Sequence, residues 1–249
     1  MKNTHLEHPE DTILTGDLRA FKDLYGPGHV SLKIDGAPSI VWGKHPETGK
    51  FFVASKSAFN KDPKLNYTPE DIEKNHGHAP GLVLKLKQAL EHLPKVSPKT
   101  GIYQGDVMHS GIKSKDNPNG DVVNEGGKYH FKPNTLTYST THSSAEGKKI
   151  ATSKFGVAVH TAYEGNTLAG MKAQYGADLS HFHKHPDVHV ISTVDYVHKA
   201  DLNTNQSHTY EHHMTQAKQA FNSTDKKHYG AIEGHQEHLK TYINKTVRD

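Results

Sequence analysis

The 249-residue chain contains no cysteine, and this absence excludes disulfide bonds and thiolate metal sites. Long apolar runs are missing as well. No stretch of about 18 apolar residues occurs, so we expect neither a membrane span nor a membrane partner. Residues 1–10 lack the apolar core of a secretory signal peptide, and we therefore expect a cytoplasmic protein.

The excess of positive over negative charge is also small, because the formal net charge is only +3 with 22 histidines counted as neutral. Such a mildly basic chain permits a polyanionic partner without requiring one. The histidines are scattered, and those at 181–185 and 212–213 have no acidic or cysteine ligands at a fixed spacing beside them. We interpret them as solvated or locally bonded side chains.

What the chain does have is a lysine between two apolar runs, Lys33, followed by Asp35 and Gly36. In a half-buried strand Ser31, Lys33 and Asp35 would share one face. Gly36 would then allow a tight turn that keeps Lys33 at the floor of a cleft. An enclosed lysine whose pKa is lowered can act as a nucleophile. The plain alternative for such a short pattern is a surface turn.

The hydrophobic pattern predicts an α+β fold built on antiparallel β-sheets. A long helical region is expected between Thr68, an N-cap, and Pro94. Further helices are expected at 16–24, at 167–175 and from 203 onward. Strands are predicted at 30–33, 39–43, 51–54, 101–108, 130–131, 135–139, 155–160 and 188–197.

Lys-Ile-Asp-Gly at residues 33–36 resembles motif I of the covalent nucleotidyltransferases, the superfamily of DNA ligases, RNA ligases and mRNA-capping enzymes. Three later segments resemble further elements of that superfamily in the same order. Lys56 resembles its strand-borne basic residue, Tyr-Gln-Gly-Asp at 103–106 its motif III, and Phe-Gly-Val-Ala-Val-His at 155–160 its motif IIIa.

The resemblance implies a ligase adenylation-domain (ATP-grasp-like) fold whose antiparallel sheets form a nucleotide-binding cleft, with peripheral helices. It implies ATP and Mg²⁺ as cofactors and a nucleic acid, RNA rather than DNA, as substrate. Two residues would be catalytic, the nucleophile Lys33 and Asp35, which would orient or deprotonate it. Five would bind the nucleotide: Ser31, Gly36, Lys56 at the phosphates, Asp106 at the ribose and Phe155 as a base platform.

The opening Thr-His-Leu-Glu-His-Pro-Glu-Asp at 4–11, together with these motifs, is similar to uncharacterised ligase-like proteins of large tailed bacteriophages. For such a protein the cytoplasm would be that of the host. The likeness covers most of residues 1–165. We assign residues 1–198 to a nucleotidyltransferase (adenylation) domain and residues 199–249 to a helical C-terminal segment.

The chain also departs from the superfamily pattern. Its motif III ends in Asp106 where Glu is usual, and no Glu-Gly followed by a strand-borne Lys-x-Lys represents motifs IV and V. Lys199, Lys240 and Lys245 are candidates for diverged substitutes.

These resemblances and departures lead to one preferred function and two alternatives. The preferred one is ATP-dependent transfer through a lysyl-AMP intermediate in RNA-ligase-like end joining. The first alternative is a non-catalytic, truncated or split phage protein that binds nucleotide or nucleic acid. The second alternative is a guanylyltransferase or protein adenylyltransferase.

Overall fold

The computed structural model describes residues 29–31, 34–193, 197–199 and 203–228, with the single positions 235, 238, 242, 245 and 246. Two compact units are distinguished. The first consists of Met1–His5 with Ser31–Tyr196, and the second of Leu6–Val30 with Val197–Asp249. The predicted helix at 16–24 and the predicted nucleophile Lys33 lie outside the described residues.

Within the described residues the strands form three sheets. A two-stranded sheet pairs β1 (His29–Ser31) with β11 (Val197–Lys199). A six-stranded sheet has the order β10-β8-β4-β2-β3, with β9 also paired to β8. Its strands are β2 (Ser39–Lys44), β3 (Phe51–Ala54), β4 (Ile102–His109), β8 (Phe155–Glu164), β9 (Lys172–Tyr175) and β10 (Val188–Ser192). A three-stranded sheet has the order β5-β6-β7, formed by β5 (Val123–Glu125), β6 (Lys128–Phe131) and β7 (Tyr138–Thr141).

The pairings of the six-stranded sheet are antiparallel except for that between β8 and β10. The predicted class, α+β with antiparallel sheets, is therefore confirmed. Strands β2, β4 and β8 are buried along most of their length, which explains the apolar runs of β2 and β8, whereas β4 also buries the polar side chains of Gln104 and Asp106. Register across the centre aligns Ser39 of β2 with Asp106 of β4, and Asp106 with Ala158 of β8.

Two helices cover one face of this sheet. Helix α1 (Pro69–His76) begins at a capping box between Thr68 and Asp71, and helix α2 (Pro80–His92) ends just before Pro94, as predicted. Leu86 of α2 packs in the same core cluster as Trp42 of β2. This layer keeps one side of the sheet inaccessible, so a ligand site has to lie on the other side or at an edge.

The opposite face is covered by the three-stranded sheet and by helix α3 (Ala145–Ile150). Tyr129 and Phe131 of β6 pack there with Met108 of β4 and Ile191 of β10. Ser144 caps the N-terminus of helix α3, and its hydroxyl accepts a hydrogen bond from the Gly147 N–H. This second layer, between the two sheets and α3, holds the residues of the candidate site.

Two predicted elements differ from the structure. The helix predicted at 167–175 is wrong, because that segment forms a short 3-10 helix (Leu168–Gly170) and then strand β9. The single strand predicted at 188–197 is divided into β10 and β11. The helix expected from 203 onward is present as α4 (Thr204–Ser223). Among the described helices, none combines the length and the apolar character needed to cross a lipid bilayer.

Candidate functional site

The segment after Lys33 is fixed to strand β4 by two backbone hydrogen bonds and by one to the Asp106 side chain. The Gly36 N–H donates to Asp106 Oδ2 at 3.2 Å, the Ala37 N–H to the Val107 carbonyl at 3.2 Å, and the Val107 N–H to the Pro38 carbonyl at 3.0 Å. These contacts bring residues 36–38 directly against the carboxylate of Asp106.

Glycine is needed at position 36 for a reason that differs from the predicted one. Gly36 is not among the residues with a positive φ, so a left-handed turn does not select it. A Cβ at this position would instead lie 2.6 Å from the Val107 carbonyl oxygen and 2.8 Å from Met108 Sδ. Close approach to β4 is therefore what excludes a side chain.

Asp35 is held from the other side by the three-stranded sheet. Its N–H donates to the Tyr138 hydroxyl oxygen at 2.9 Å, and that hydroxyl donates to the Asp35 carbonyl at 3.0 Å. The Asn134 side-chain amide donates to Asp35 Oδ2 at 2.7 Å. The residue predicted to assist Lys33 is thus fixed between β4 and β7.

Asp106 is a buried carboxylate, 7% exposed, within this arrangement. Burial alone would raise its pKa, but hydrogen bonds from His160, Gly36 and Ser39 and the attraction of His160 outweigh burial and lower the pKa. His160 Nε2 lies 3.6 Å from Asp106 Oδ1. Asp106 is therefore ionised at neutral pH and acts as an acceptor beside residues 36–39.

Polar side chains on three adjacent strands support Asp106. Ser39 accepts a hydrogen bond from Gln104 Nε2 at 2.9 Å, and Gln104 Oε1 accepts one from the Tyr163 hydroxyl. Burial raises the pKa of Tyr163, so this hydroxyl keeps its proton and remains a donor. The chain of bonds fixes β2, β4 and β8 relative to one another at the site.

A cavity of about 210 Å³ lies next to this region, between the two sheets and α3. Its lining is mainly apolar and includes Ile34, which precedes Asp35 in the chain, and Met108 of β4. Tyr138, which binds the backbone of Asp35, also lines it. The segment that follows Lys33 therefore contacts both Asp106 and the cavity.

A cluster of three titratable side chains adjoins the cavity, and sequence reasoning missed it. His189 Nε2 lies 2.5 Å from Glu146 Oε2, and His189 Nδ1 lies 3.3 Å from His109 Nε2. Burial, followed by the charges of neighbouring groups, lowers the pKa of His109 to about 3. The hydrogen bond from His189 lowers the pKa of Glu146 to about 2 despite partial burial, with help from Lys149. Glu146 and His189 line the cavity.

No local sequence signal links these three residues. Glu146 and His189 are 43 positions apart, and His109 and His189 are 80 positions apart. The pairing of β4, β8 and β10 brings His109 near His189, and the packing of helix α3 against β10 adds Glu146. Fixed-spacing searches such as those used for metal sites therefore cannot detect the cluster.

The remaining predicted residues occupy other positions. Ser31 ends β1, and Lys56 is the exposed first residue of a short 3-10 helix after β3, which is two strands away from β4. Phe155 is fully buried in the core and stacks on His92 with ring centroids 6.2 Å apart. In this structure the Phe155 ring presents no face to a ligand, so it does not form the predicted base platform.

Metal ligands do not cluster in the part of the chain that the structure describes. No group of three or more His, Asp or Glu side chains is arranged there to hold a metal ion. The described residues therefore do not fit a magnesium site made by the protein alone.

Comparison with known proteins places the chain in a family without assigning an activity. No curated protein and no solved structure matches it significantly. A family profile matches residues 3–249, which is nearly the entire chain. The protein therefore belongs to the family of unknown function DUF6267.

Proposed function

We propose that this protein is an ATP-dependent nucleotidyltransferase of the ligase type, which forms a lysyl-AMP intermediate on Lys33. One observation carries the proposal. The Gly36 N–H binds the Asp106 carboxylate, which joins the segment resembling motif I to the segment resembling motif III across 70 positions of sequence. This contact supports the proposal, because the resemblance requires the two segments to meet at one nucleotide site.

The chemistry assigns a role to each residue near this contact. The Lys33 amine attacks the α-phosphorus of ATP, so an N–P bond forms while the bond to the pyrophosphate oxygen breaks. Pyrophosphate leaves with the electron pair, and the amine proton passes to a base, for which Asp35 is the nearest carboxylate in sequence. Asp106, ionised at neutral pH, accepts hydrogen bonds from the ribose hydroxyls.

The cavity sets which part of ATP is enclosed. Pockets for drug-sized ligands usually measure about 300–1,000 Å³. A volume of about 210 Å³ suits a single heterocycle better than a whole nucleotide. In this proposal the base enters the cavity, the ribose lies towards Asp106, and the triphosphate extends out of the cavity.

In this proposal Mg²⁺ accompanies the nucleotide and is not a resident ion of the protein. In proteins Mg²⁺ is usually held by one or two carboxylates together with substrate phosphates. Since the described residues do not form a metal cage, Mg²⁺ would arrive with ATP. No role proposed for a side chain here depends on a resident metal.

The nucleophile is tested with ATP labelled in the α-phosphate. The wild-type chain should keep the label after denaturation and lose it in acid. Lys33→Ala should abolish labelling, and so should Lys33→Arg, because a guanidinium stays protonated and cannot attack. Lys50→Ala, an exposed lysine on the β2–β3 hairpin, is the matched control and should label normally. Label retained by Lys33→Ala would contradict the assignment.

A second candidate is a binding protein that keeps the nucleotide site without catalysis. Two observations favour it. The cavity is small, and the two Lys-x-Lys patterns of the described region, at 85–87 and 113–115, lie on helix α2 and in a loop rather than on a strand. Calorimetry with adenosine, AMP and ATP separates the two functions. Equal affinities for the three ligands, in a protein that takes up no label from ATP, support the binding protein. A strong preference for ATP, together with labelling of the protein, supports the enzyme. Labelling by GTP instead of ATP would indicate a guanylyltransferase.

A further inference from the structure

The apolar cavity has one carboxylate in its wall, that of Glu146. An ionised carboxylate beside an apolar space is costly unless it is hydrogen-bonded. Here it is bonded, because His189 Nε2 lies 2.5 Å from Oε2 and Lys149 Nζ lies 2.9 Å from Oε1. The charge of Glu146 is therefore a fixed property of the cavity.

The hydrogen-bond pattern also fixes the direction of every proton in the cluster. His109 Nδ1 accepts from the Gly111 N–H at 3.2 Å, so the ring proton of His109 lies on Nε2. That proton is donated to His189 Nδ1, and His189 then donates from Nε2 to Glu146. All donors point towards Glu146, which leaves the carboxylate as the acceptor at the end of the chain.

Glu146 retains capacity for a ligand. A carboxylate has about four lone-pair sites, and His189 and Lys149 use two of them. The side chain of Glu146 is 36% exposed, whereas that of His189 is 1% exposed. Of the two groups, only Glu146 is open to an incoming donor.

We propose that the cavity is a base-binding site and that Glu146 selects a heterocycle bearing an exocyclic amino group by accepting a hydrogen bond from it. The assignment rests on the proposed function, because that function supplies a nucleotide. The apolar walls, including Met108 and Ile191, contact the ring of the base, and the Glu146 carboxylate accepts a hydrogen bond from its amino group. Glu146 would thereby determine which nucleotides the enzyme accepts.

The experiment measures binding of four nucleosides by calorimetry to the full chain. Adenosine and purine riboside differ only in the 6-amino group, and guanosine and inosine only in the 2-amino group. In at least one pair the amino compound should bind about tenfold more tightly or better, the effect expected for a hydrogen bond to a charged group. The pair that shows the preference identifies the base.

Glu146→Gln tests the residue itself. Its side-chain oxygen can still accept the His189 proton, so the link between α3 and β10 is kept while the charge is lost. The amino preference should fall at least several-fold in Glu146→Gln and persist in Glu125→Gln, an exposed glutamate on β5. Ile191→Phe, which adds volume to the cavity wall, should weaken all four nucleosides.

Several results would overturn the proposal: no amino preference in either pair, a preference that Glu146→Gln retains, or nucleoside binding unaffected by Ile191→Phe. Labelling of the wild-type chain with ATP, measured beside these titrations, separates this proposal from the proposed function. An amino preference in a wild-type chain that is never labelled would leave the base site valid and the transfer reaction wrong, whereas a labelled chain without an amino preference would leave the reaction valid and the base site wrong.

Discussion

Replacing Gly36 by alanine tests how residues 34–38 are held against β4. The new Cβ would lie 2.6 Å from the Val107 carbonyl oxygen, 2.8 Å from Met108 Sδ and 3.0 Å from Asp106 Cβ. The flexible Met108 side chain can move away. The Val107 carbonyl is backbone of a central strand and accepts the Ala37 N–H, so the segment itself has to shift.

The magnitude follows from two contributions. Overpacking a close contact of this kind costs about 1–3 kcal/mol. Moving the segment also stretches the 3.2 Å hydrogen bond from the Gly36 N–H to the charged Asp106, and a bond of this type contributes about 1.5–3 kcal/mol when intact. We expect the free energy of unfolding to fall by about 2–4 kcal/mol.

Urea denaturation measures this change. The protein has a single tryptophan, Trp42, which is fully buried in the core cluster, so its fluorescence reports unfolding of the first unit. Gly81→Ala is the matched control, because a Cβ there meets no atom within 4 Å. Since Gly81 lies in helix α2, alanine should leave stability unchanged or raise it by up to about 1 kcal/mol. A Gly36→Ala variant as stable as wild type would refute the close approach of this segment to β4.

Two further predictions concern the carboxylates of the site. Asp106→Asn should lower the free energy of unfolding at pH 7 by roughly 1–3 kcal/mol, because the acceptor for Gly36 and His160 loses its charge. Asp116→Asn, in an exposed loop, is the control and should unfold at the same urea concentration as wild type. An Asp106→Asn variant with the same urea midpoint as wild type would contradict this prediction. For Glu146, the folded pKa of about 2 is below the ordinary value of 4.5, so its stabilising effect is complete above pH 4.5 and is lost as the pH falls towards 2. The stability of wild type should therefore decline more steeply than that of Glu146→Gln over this range, and parallel pH profiles in urea denaturation would contradict the assignment.

Local patterns predicted much of the fold. Strand β3 was predicted at residues 51–54, where it is found, because aromatic and β-branched residues there are bounded by turn signals. Helix α2 was predicted from its leucines and from Pro94. The segment at 172–175 was wrongly predicted as helix. Its strand conformation results from pairing with the end of β8, a tertiary contact that overrides local propensity.

The site could be predicted only in part, for physical reasons. Asp35, Gly36 and Asp106 were identified from motifs, and the structure brings them together. Phe155 was misjudged because both faces of β8 are buried, so its sequence carries no alternation that would tell a core ring from a ligand-facing one. The cluster of His109, Glu146 and His189 depends on contacts between distant segments, for which a single sequence gives no signal.

The measurement that tests the central claim most directly is peptide mapping by mass spectrometry after incubation of the full chain with ATP and Mg²⁺. Mapping locates the modified residue itself, which labelling of variants reports only indirectly. The account predicts an AMP adduct on the peptide that contains Lys33, joined through its side-chain nitrogen and released by acid. An adduct on any other lysine, or no adduct in a folded chain that binds ATP, would contradict it.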